Sequence, residues 1–541
     1  MDFVFGKLVN DDLKVTHHRA DLRGIQHGYV IDPPIPKPDQ PVTLKATTDS
    51  TVQVTQMALV YTTDGSPPVG SRGGASNGQI IRFERTHISW DTLMWGYIAH
   101  WQAVIPAQPE NTVVHYVISG WTDDGAEVYG DWPDVKETVE YATQVFFNGL
   151  PARPDHKPGD PSVGTVFAYS VDTLTPPAWA RHALIYHLMV DRFYHGDGDS
   201  WLQTDNLTGF CGGTLWGVRD KLEYLVQLGI DCLWLSPTWV SPTSHGYDVS
   251  DYDRVEPRLG GDEALRAVVE GAHDRGMRVI LDMACNHISN EHPYFQEALH
   301  DPHSPYRDWF YFDDSAIGYR CFFGTPTMPD LNLKHPAARN WMIGVATHWL
   351  QEFDIDGYRL DYANGPGPQF WTAFRLACKR VKPDCLLFGE VIDSPDKLLR
   401  YAGRLDGCLN FQVNDALRRR FGWKSWTPQQ LDLFIEEHYR YFPDDFVMPT
   451  FLDNHDMDRF AFISQNDEVA LRQAAEVQMR LPDPAIVYYG TEVGLRQMVS
   501  TRGHTLDINR VPMVWGDAQD AELLNFYKGL IRARRESHSR G

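Results

Sequence analysis

From Ala183 onward the chain repeats one pattern eight times: a short apolar run, then a stretch whose apolar residues recur at helical spacing. The runs are Leu184–Val190, Cys232–Leu235, Val279–Asp282, Gly357–Asp361, Leu386–Glu390, Cys408–Phe411, Val447–Leu452 and Ala485–Tyr489. Apolar runs of this length read as strands buried on both faces, as in parallel sheets. Between them lie helical segments. Asp262 is expected to cap one whose Leu265, Val268, Val269 and Ala272 share a face, with Gly276 ending it. Pro336 suits the first turn of another, ahead of Trp341, Val345, Trp349 and Phe353. Eight strands alternating with helices predict an α/β fold, a (β/α)8 TIM barrel over residues 182–541. The connection 284–335 is too long for a simple link and predicts a small inserted subdomain after the third strand.

Residues 1–149 follow a different rhythm. Val42–Thr47, Met57–Thr63, Tyr97–Ile105 and Val113–Trp121 are rich in β-branched and aromatic residues, with turn clusters such as Asp123-Asp124-Gly125 between them. This predicts an N-terminal β-sandwich, resembling a carbohydrate-binding module. The Pro-rich stretches Asp32–Pro41 and Leu150–Pro161 should be extended and exposed, and residues 150–181 read as a linker.

Composition narrows the partners. A formal net charge of −23 repels phosphates and anionic lipid, which excludes nucleic acid and membrane surfaces. No apolar stretch approaches the roughly 20 residues of a membrane helix. Seven Cys, an odd number without a C-x-x-C pair, read as reduced structural thiols. Met1 to Asn10 lacks the pattern of a signal peptide, so the expected compartment is the cytoplasm. Aromatics make up 12% of the chain; Trp90, Trp95 and Trp101 could stack on sugar, although core packing is the first expectation.

Polar residues gather at the C-terminal ends of the barrel runs, where barrel active sites are built. These are Asp282, Asn286 and His287 after the third, Arg359 and Asp361 on the fourth, Glu390 on the fifth, and Asn454, His455 and Asp456 after the seventh. Tyr247 lies beyond the second and Arg459 beyond the seventh. Side chains alternate along a strand, so Arg359 and Asp361 face inward together while Tyr358 and Leu360 face the helices. A guanidinium beside Asp361 should keep it ionised, as a nucleophile must be. Glu390 follows Leu386-Leu387-Phe388, and apolar surroundings should raise it, as a general acid needs. Any one of these residues could be a cap or a buried ion pair. Together they are costly without a function.

Asp282-Met-Ala-Cys-Asn-His287, Gly357-Tyr-Arg-Leu-Asp361, Gly389-Glu390 and Phe451-Leu-Asp-Asn-His-Asp456 resemble, in order, the four signature regions of the α-amylase family, glycoside hydrolase family 13. His245-Gly-Tyr247-Asp248 and Met328-Pro-Asp-Leu-Asn332 resemble two further family segments. The resemblance spans about residues 183–535. It implies Asp361 as nucleophile, Glu390 as acid/base and Asp456 as third catalytic carboxylate. It also implies substrate contacts from Tyr247, His287, Arg359 and His455, joined by Asp282, Asn286, Asn454 and Arg459. Such an enzyme retains configuration, with its two carboxyls about 5–5.5 Å apart.

Within the family, the chain resembles the cyclomaltodextrinase, neopullulanase and maltogenic amylase branch. That implies cleavage of α-1,4 links in maltooligosaccharides, cyclodextrins and starch-type glucans, and a homodimer formed through the N-terminal domain. Three departures from the branch stand out. Asp330 replaces a Lys, and Val391-Ile392 stands where a Trp is common, which argues against strong transglycosylation. His195 replaces an Asn in a loop that often binds calcium; Asp197 and Asp199 are its remaining candidate ligands, and the loop otherwise reads as an acidic turn. No cofactor is otherwise expected. Relatives continue into a C-terminal β-domain, which the sequence is expected to lack. The rival readings are an α-glucosidase or another family activity on sucrose or isomaltose, and a non-catalytic transporter partner. The retained carboxylates speak against the last.

Overall fold

Side-chain alternation along parallel strands builds the barrel. The computed structural model describes residues 11–132, 164–196, 202, 207–502 and 504–538. Its strands Leu184–Leu188, Cys232–Leu235, Arg278–Ala284, Gly357–Asp361, Leu386–Gly389, Gly407–Cys408 and Ala485–Tyr488 form one parallel sheet. The seventh run, 447–452, forms no full strand. It closes the ring through single parallel bridges, Gly407 to Val447 and Thr450 to Ala485. Ile185, Cys232, Trp234, Ile280, Leu386, Phe388 and Ile486 fill the barrel interior. Their neighbours Leu184, Tyr186, Leu233, Leu235, Val279, Leu281 and Leu387 pack outward under the helices. The same alternation sends Asp282, Arg359, Asp361 and Glu390 inward at the upper rim. Tyr358 points the other way, and its hydroxyl donates to the Ala346 carbonyl of the helix Pro336–Glu352 at 2.7 Å. Gly357 has φ +142°, and a Cβ there would collide with the Leu386 carbonyl; glycine lets the fourth and fifth strands approach.

The helices follow their sequence signals with one correction. Gly261–His273 buries Ala264, Leu265, Val268, Val269 and Ala272. Asp262 is not its cap: it lies in the first turn and accepts the Val255 N–H at 2.8 Å. Pro336 does open its helix. Residues 285–335 carry the helix Pro293–His300 and bridges that include Phe310 to Leu331 and His287 to Asp330.

In the N-terminal region, strands Val42–Thr48, Gln56–Thr62, Gly96–Ile105 and Thr112–Trp121 match the predicted ones within a residue or so. They belong to a ten-stranded, mainly antiparallel sheet whose two halves bury one shared core, including Leu44, Leu59, Trp101 and Tyr116. The helix Asp11–Leu22, unforeseen, precedes them. The linker boundary is also corrected: Phe167–Val171 is a strand of this sheet, paired antiparallel with Thr112–Trp121. The rest of the linker, with Leu150–Pro161, lies mostly outside the described residues. Trp101 is 4% exposed in the core, whereas Trp90 and Trp95 are 48% and 74% exposed. The sheet docks on the barrel through Asp172, which pairs with Arg375 at 3.2 Å, and Tyr29, whose hydroxyl donates to Gln369 at 2.9 Å. All seven cysteines are buried, and none forms a disulfide. Among the described residues no helix is long and apolar enough to cross a membrane.

Candidate active site

The strand ends converge on one guanidinium. Arg359 Nη1 donates to Asp282 Oδ1 and Asp361 Oδ1, each at 2.7 Å, and Nη2 lies 2.8 Å from Glu390 Oε2. All four side chains are buried. Above them opens a cleft of about 130 Å³. Asp361, Glu390, Asp456, Tyr247, His287 and His455 line it; Phe322, Met328, Tyr362, His245, Leu506 and Arg510 complete its walls.

A second network orients Asp456. The Tyr247 hydroxyl donates to Asp282 Oδ2 at 2.8 Å and meets His455 Nε2 at 2.7 Å. With the phenol proton committed to Asp282, His455 Nε2–H is the donor to Tyr247, and Asp456 Oδ2 lies 2.8 Å from the same nitrogen. The Tyr247 and His455 rings stack at 5.3 Å. Arg510 donates through Nη2 to Asp456 Oδ1 and through Nε to the His455 carbonyl, both at 2.8 Å.

These contacts set the carboxyls apart. Burial pushes Asp361 well above the usual carboxylate range; Arg359 opposes this, while Glu390, Asp282 and Asp456 add to it. The expectation that Arg359 simply keeps Asp361 ionised is thereby corrected. Its one positive charge is divided among three carboxylates. Glu390 is raised too, first by burial, with Arg359 opposing and Asp456 contributing. Carboxyls this close titrate as a pair rather than singly. Burial also raises Asp456, but His455 and Arg510 outweigh it and hold that carboxyl well below its ordinary value.

The remaining expected residues sit at different depths. Asp282 is beneath the floor, where the Trp234 indole N–H also donates to it at 3.0 Å. Asn286 is one step behind, donating to Asp330 at 3.1 Å, and Arg320 reaches the same carboxylate at 2.9 Å. Asn454 accepts the Asp456 N–H at 2.9 Å and shapes that turn. Arg459 is a correction. Its guanidinium turns away from the cleft to the carbonyls of Asn509 and Tyr489, at 3.0 and 2.9 Å, and serves the fold. Asp197 and Asp199, the calcium candidates, lie outside the described residues. Arg510 was missed, since nothing in the sequence links it to Asp456, 54 positions away. Its position in a loop after the last barrel strand was the available signal. Phe322, Met328, Tyr362 and Leu506 were missed because apolar cleft walls look like core.

Comparison with known proteins adds to this geometry. Residues 187–523 match the family model of the α-amylase catalytic domain. Alpha-amylase 2 of Dictyoglomus thermophilum is 36% identical over 370 residues, 68% of this chain and 65% of that protein. The intracellular maltogenic amylase of Bacillus subtilis is 31% identical over 388 residues, 69% and 65% of the two chains. The chain thus spans about 65% of the length of these relatives. Among solved structures, Ttha1563 from Thermus thermophilus is 31% identical with a TM-score of 0.61, covering 66% of this chain and 82% of that one. A cyclomaltodextrinase structure shares the fold over 95% of this chain and 84% of that one, at TM-score 0.63 and 24% identity. Barrel, strand-end carboxylates and family match coincide, and the chain belongs to the α-amylase family, glycoside hydrolase family 13.

Proposed function

We propose that the protein is a retaining glycoside hydrolase that cleaves α-1,4-glucosidic bonds in maltooligosaccharides, cyclodextrins or starch-type glucans. The observation that carries this reading is Arg359, which contacts Asp361, Glu390 and Asp282 at once. Two carboxyls held by one planar fork fit the roughly 5–5.5 Å spacing of retaining enzymes better than the roughly 6.5–9.5 Å of inverting ones.

Asp361 Oδ1 is engaged by Arg359, which leaves Oδ2 to attack the anomeric carbon. In the reactive form of the pair the proton is on Glu390, and it passes to the glycosidic oxygen as the bond to the anomeric carbon breaks. The leaving sugar departs with that proton, and a glycosyl ester forms on Asp361. Glu390, now ionised, takes a proton from water as the water displaces Asp361. Asp456, held ionised by His455 and Arg510, accepts hydroxyls of the distorted sugar. Relatives named cyclomaltodextrinase and neopullulanase 2 support the choice of substrate class.

The activity test is a product profile on cyclodextrin, maltotriose, pullulan, sucrose and isomaltose. Cleavage of cyclodextrin or maltotriose with retained anomeric configuration is expected. Isomaltose cleavage with cyclodextrin left intact overturns the substrate assignment. The buried thiols and the relative named as intracellular support a cytoplasmic location. Dimerisation through the N-terminal region would use its exposed edge strand Glu84–Asp91; sedimentation of the whole chain tests it.

A further inference from the structure

Tyr362 follows Asp361 directly and has φ +41°. Bulky residues avoid this left-handed region, so a tyrosine there must be held by its surroundings. The holding contacts are visible. Its ring packs edge-on against Phe322 at 5.1 Å and Phe323 at 5.3 Å, both from the segment after the third strand. Phe323 is itself left-handed, at φ +47°, and Phe322 stacks on His287 at 4.4 Å. Within the same turn, Gly365 lies so close to Asn286 that a Cβ there would collide with its side-chain oxygen.

The turn has a chemical consequence. It aims the Tyr362 N–H at Glu390 Oε2, 3.2 Å away. Arg359 Nη2 approaches the same oxygen at 2.8 Å. An oxygen that accepts this N–H and lies beside the Arg359 guanidinium is a poor place for a carboxylic acid to keep its proton, so the proton goes to Oε1.

We infer that Tyr362 is a positioning residue for Glu390: its ring, locked between Phe322 and Phe323, holds the left-handed turn whose N–H fixes the carboxyl and assigns its proton to Oε1. This rests on the reading of Glu390 as acid/base. The titratable and charged groups facing Glu390 are Arg359 and Asp361 from the fourth strand, Asp282 through Arg359, and His455 and Asp456 from the turn after the seventh run. Substituting Tyr362 leaves all of them in place.

The test compares Tyr362→Ala, which removes the ring, with Tyr362→Phe, which keeps it. Two substrates are used: a maltooligosaccharide, whose leaving sugar needs a proton, and an α-glycosyl fluoride, whose leaving group does not. Tyr362→Ala should lower kcat on the maltooligosaccharide about tenfold or more, within the usual contribution of a positioned acid. Activity on the fluoride should stay within about threefold of wild type. Loss of an N–H that favours the carboxylate should also move the alkaline limb of kcat/KM upward. Tyr362→Phe, which keeps the ring, should stay much nearer to wild type than Tyr362→Ala in both respects. Equal losses on both substrates with an unmoved alkaline limb overturn the inference, as does a Phe variant that behaves like the Ala variant. If Tyr362→Ala does not fold, Tyr362→Gly, which tolerates the turn without the ring, is judged by the same readouts. Glu390→Gln separates the two layers: full activity on the maltooligosaccharide sinks the acid/base reading itself. A Gln variant active only on the fluoride, beside a wild-type-like Ala variant, sinks the positioning role alone.

Discussion

Asp361→Asn should make the enzyme inactive and the fold more stable. The kinetic side follows from losing the nucleophile: kcat should fall at least about 10⁴-fold, or about 5.5 kcal/mol of transition-state stabilisation. The stability side follows from the cluster around Arg359. Asp361 is buried beside Glu390 and Asp282, and its carboxyl titrates well above the usual range for that reason. The native protein therefore holds this proton more tightly than the unfolded chain does. Its stability from this group is fully present below about pH 4, the unfolded carboxylate value, and falls as pH rises through the raised native value. Asparagine carries no charge to desolvate, and its amide oxygen can still accept from Arg359 Nη1. The lost charge-assisted contact costs about 1.5–3 kcal/mol, while the avoided burial of an ion is worth several kcal/mol. Because Asp282 and Glu390 remain to pair with Arg359, the net expectation is a gain of about 1–3 kcal/mol at pH 7. Thermal unfolding of wild type and variant from pH 4 to 8 measures it: the variant should melt higher at pH 7, and the gap should close toward pH 4. A variant with more than a tenth of wild-type turnover refutes the nucleophile assignment. A variant that melts lower at every pH refutes the account of a crowded carboxylate cluster.

Arg510→Ala should reduce kcat/KM about 10- to 100-fold, or about 1.4–2.8 kcal/mol. Asp456 would lose the Arg510 guanidinium, one of the contacts that outweigh its burial, so the acid limb of kcat/KM should move upward; a stationary limb refutes the clamp. In the N-terminal sheet, Trp101→Ala should cost about 3–5 kcal/mol, as for a core indole. Trp95→Ala, at 74% exposure, should stay within about 0.5 kcal/mol, and equal effects of the two in unfolding experiments contradict their difference in burial.

The barrel was legible because strand alternation is local. A period of two along Gly357–Asp361 is enough to turn Arg359 and Asp361 to one side and Tyr358 to the other. The same rule set Glu390 inward, two residues beyond Phe388. It fails once the chain leaves the strand. Arg459 follows Asn454-His455-Asp456 so closely that it read as part of the site, yet the turn carries its guanidinium to Asn509 and Tyr489. Phe167–Val171 read as linker because a strand next to a Pro-rich stretch declares itself only through its partner, Thr112–Trp121.

By itself, the sequence determined the order of strands and helices, the inward set of carboxylates and the family, because each is written in short-range periodicity and motif. The tertiary structure alone decided how charge is divided. Arg359 serves three carboxylates rather than one, Arg510 and His455 claim Asp456, and Tyr362 is held in a left-handed turn beside Glu390. Those outcomes depend on distances between groups far apart in the chain and on burial, and electrostatic energy is set by both.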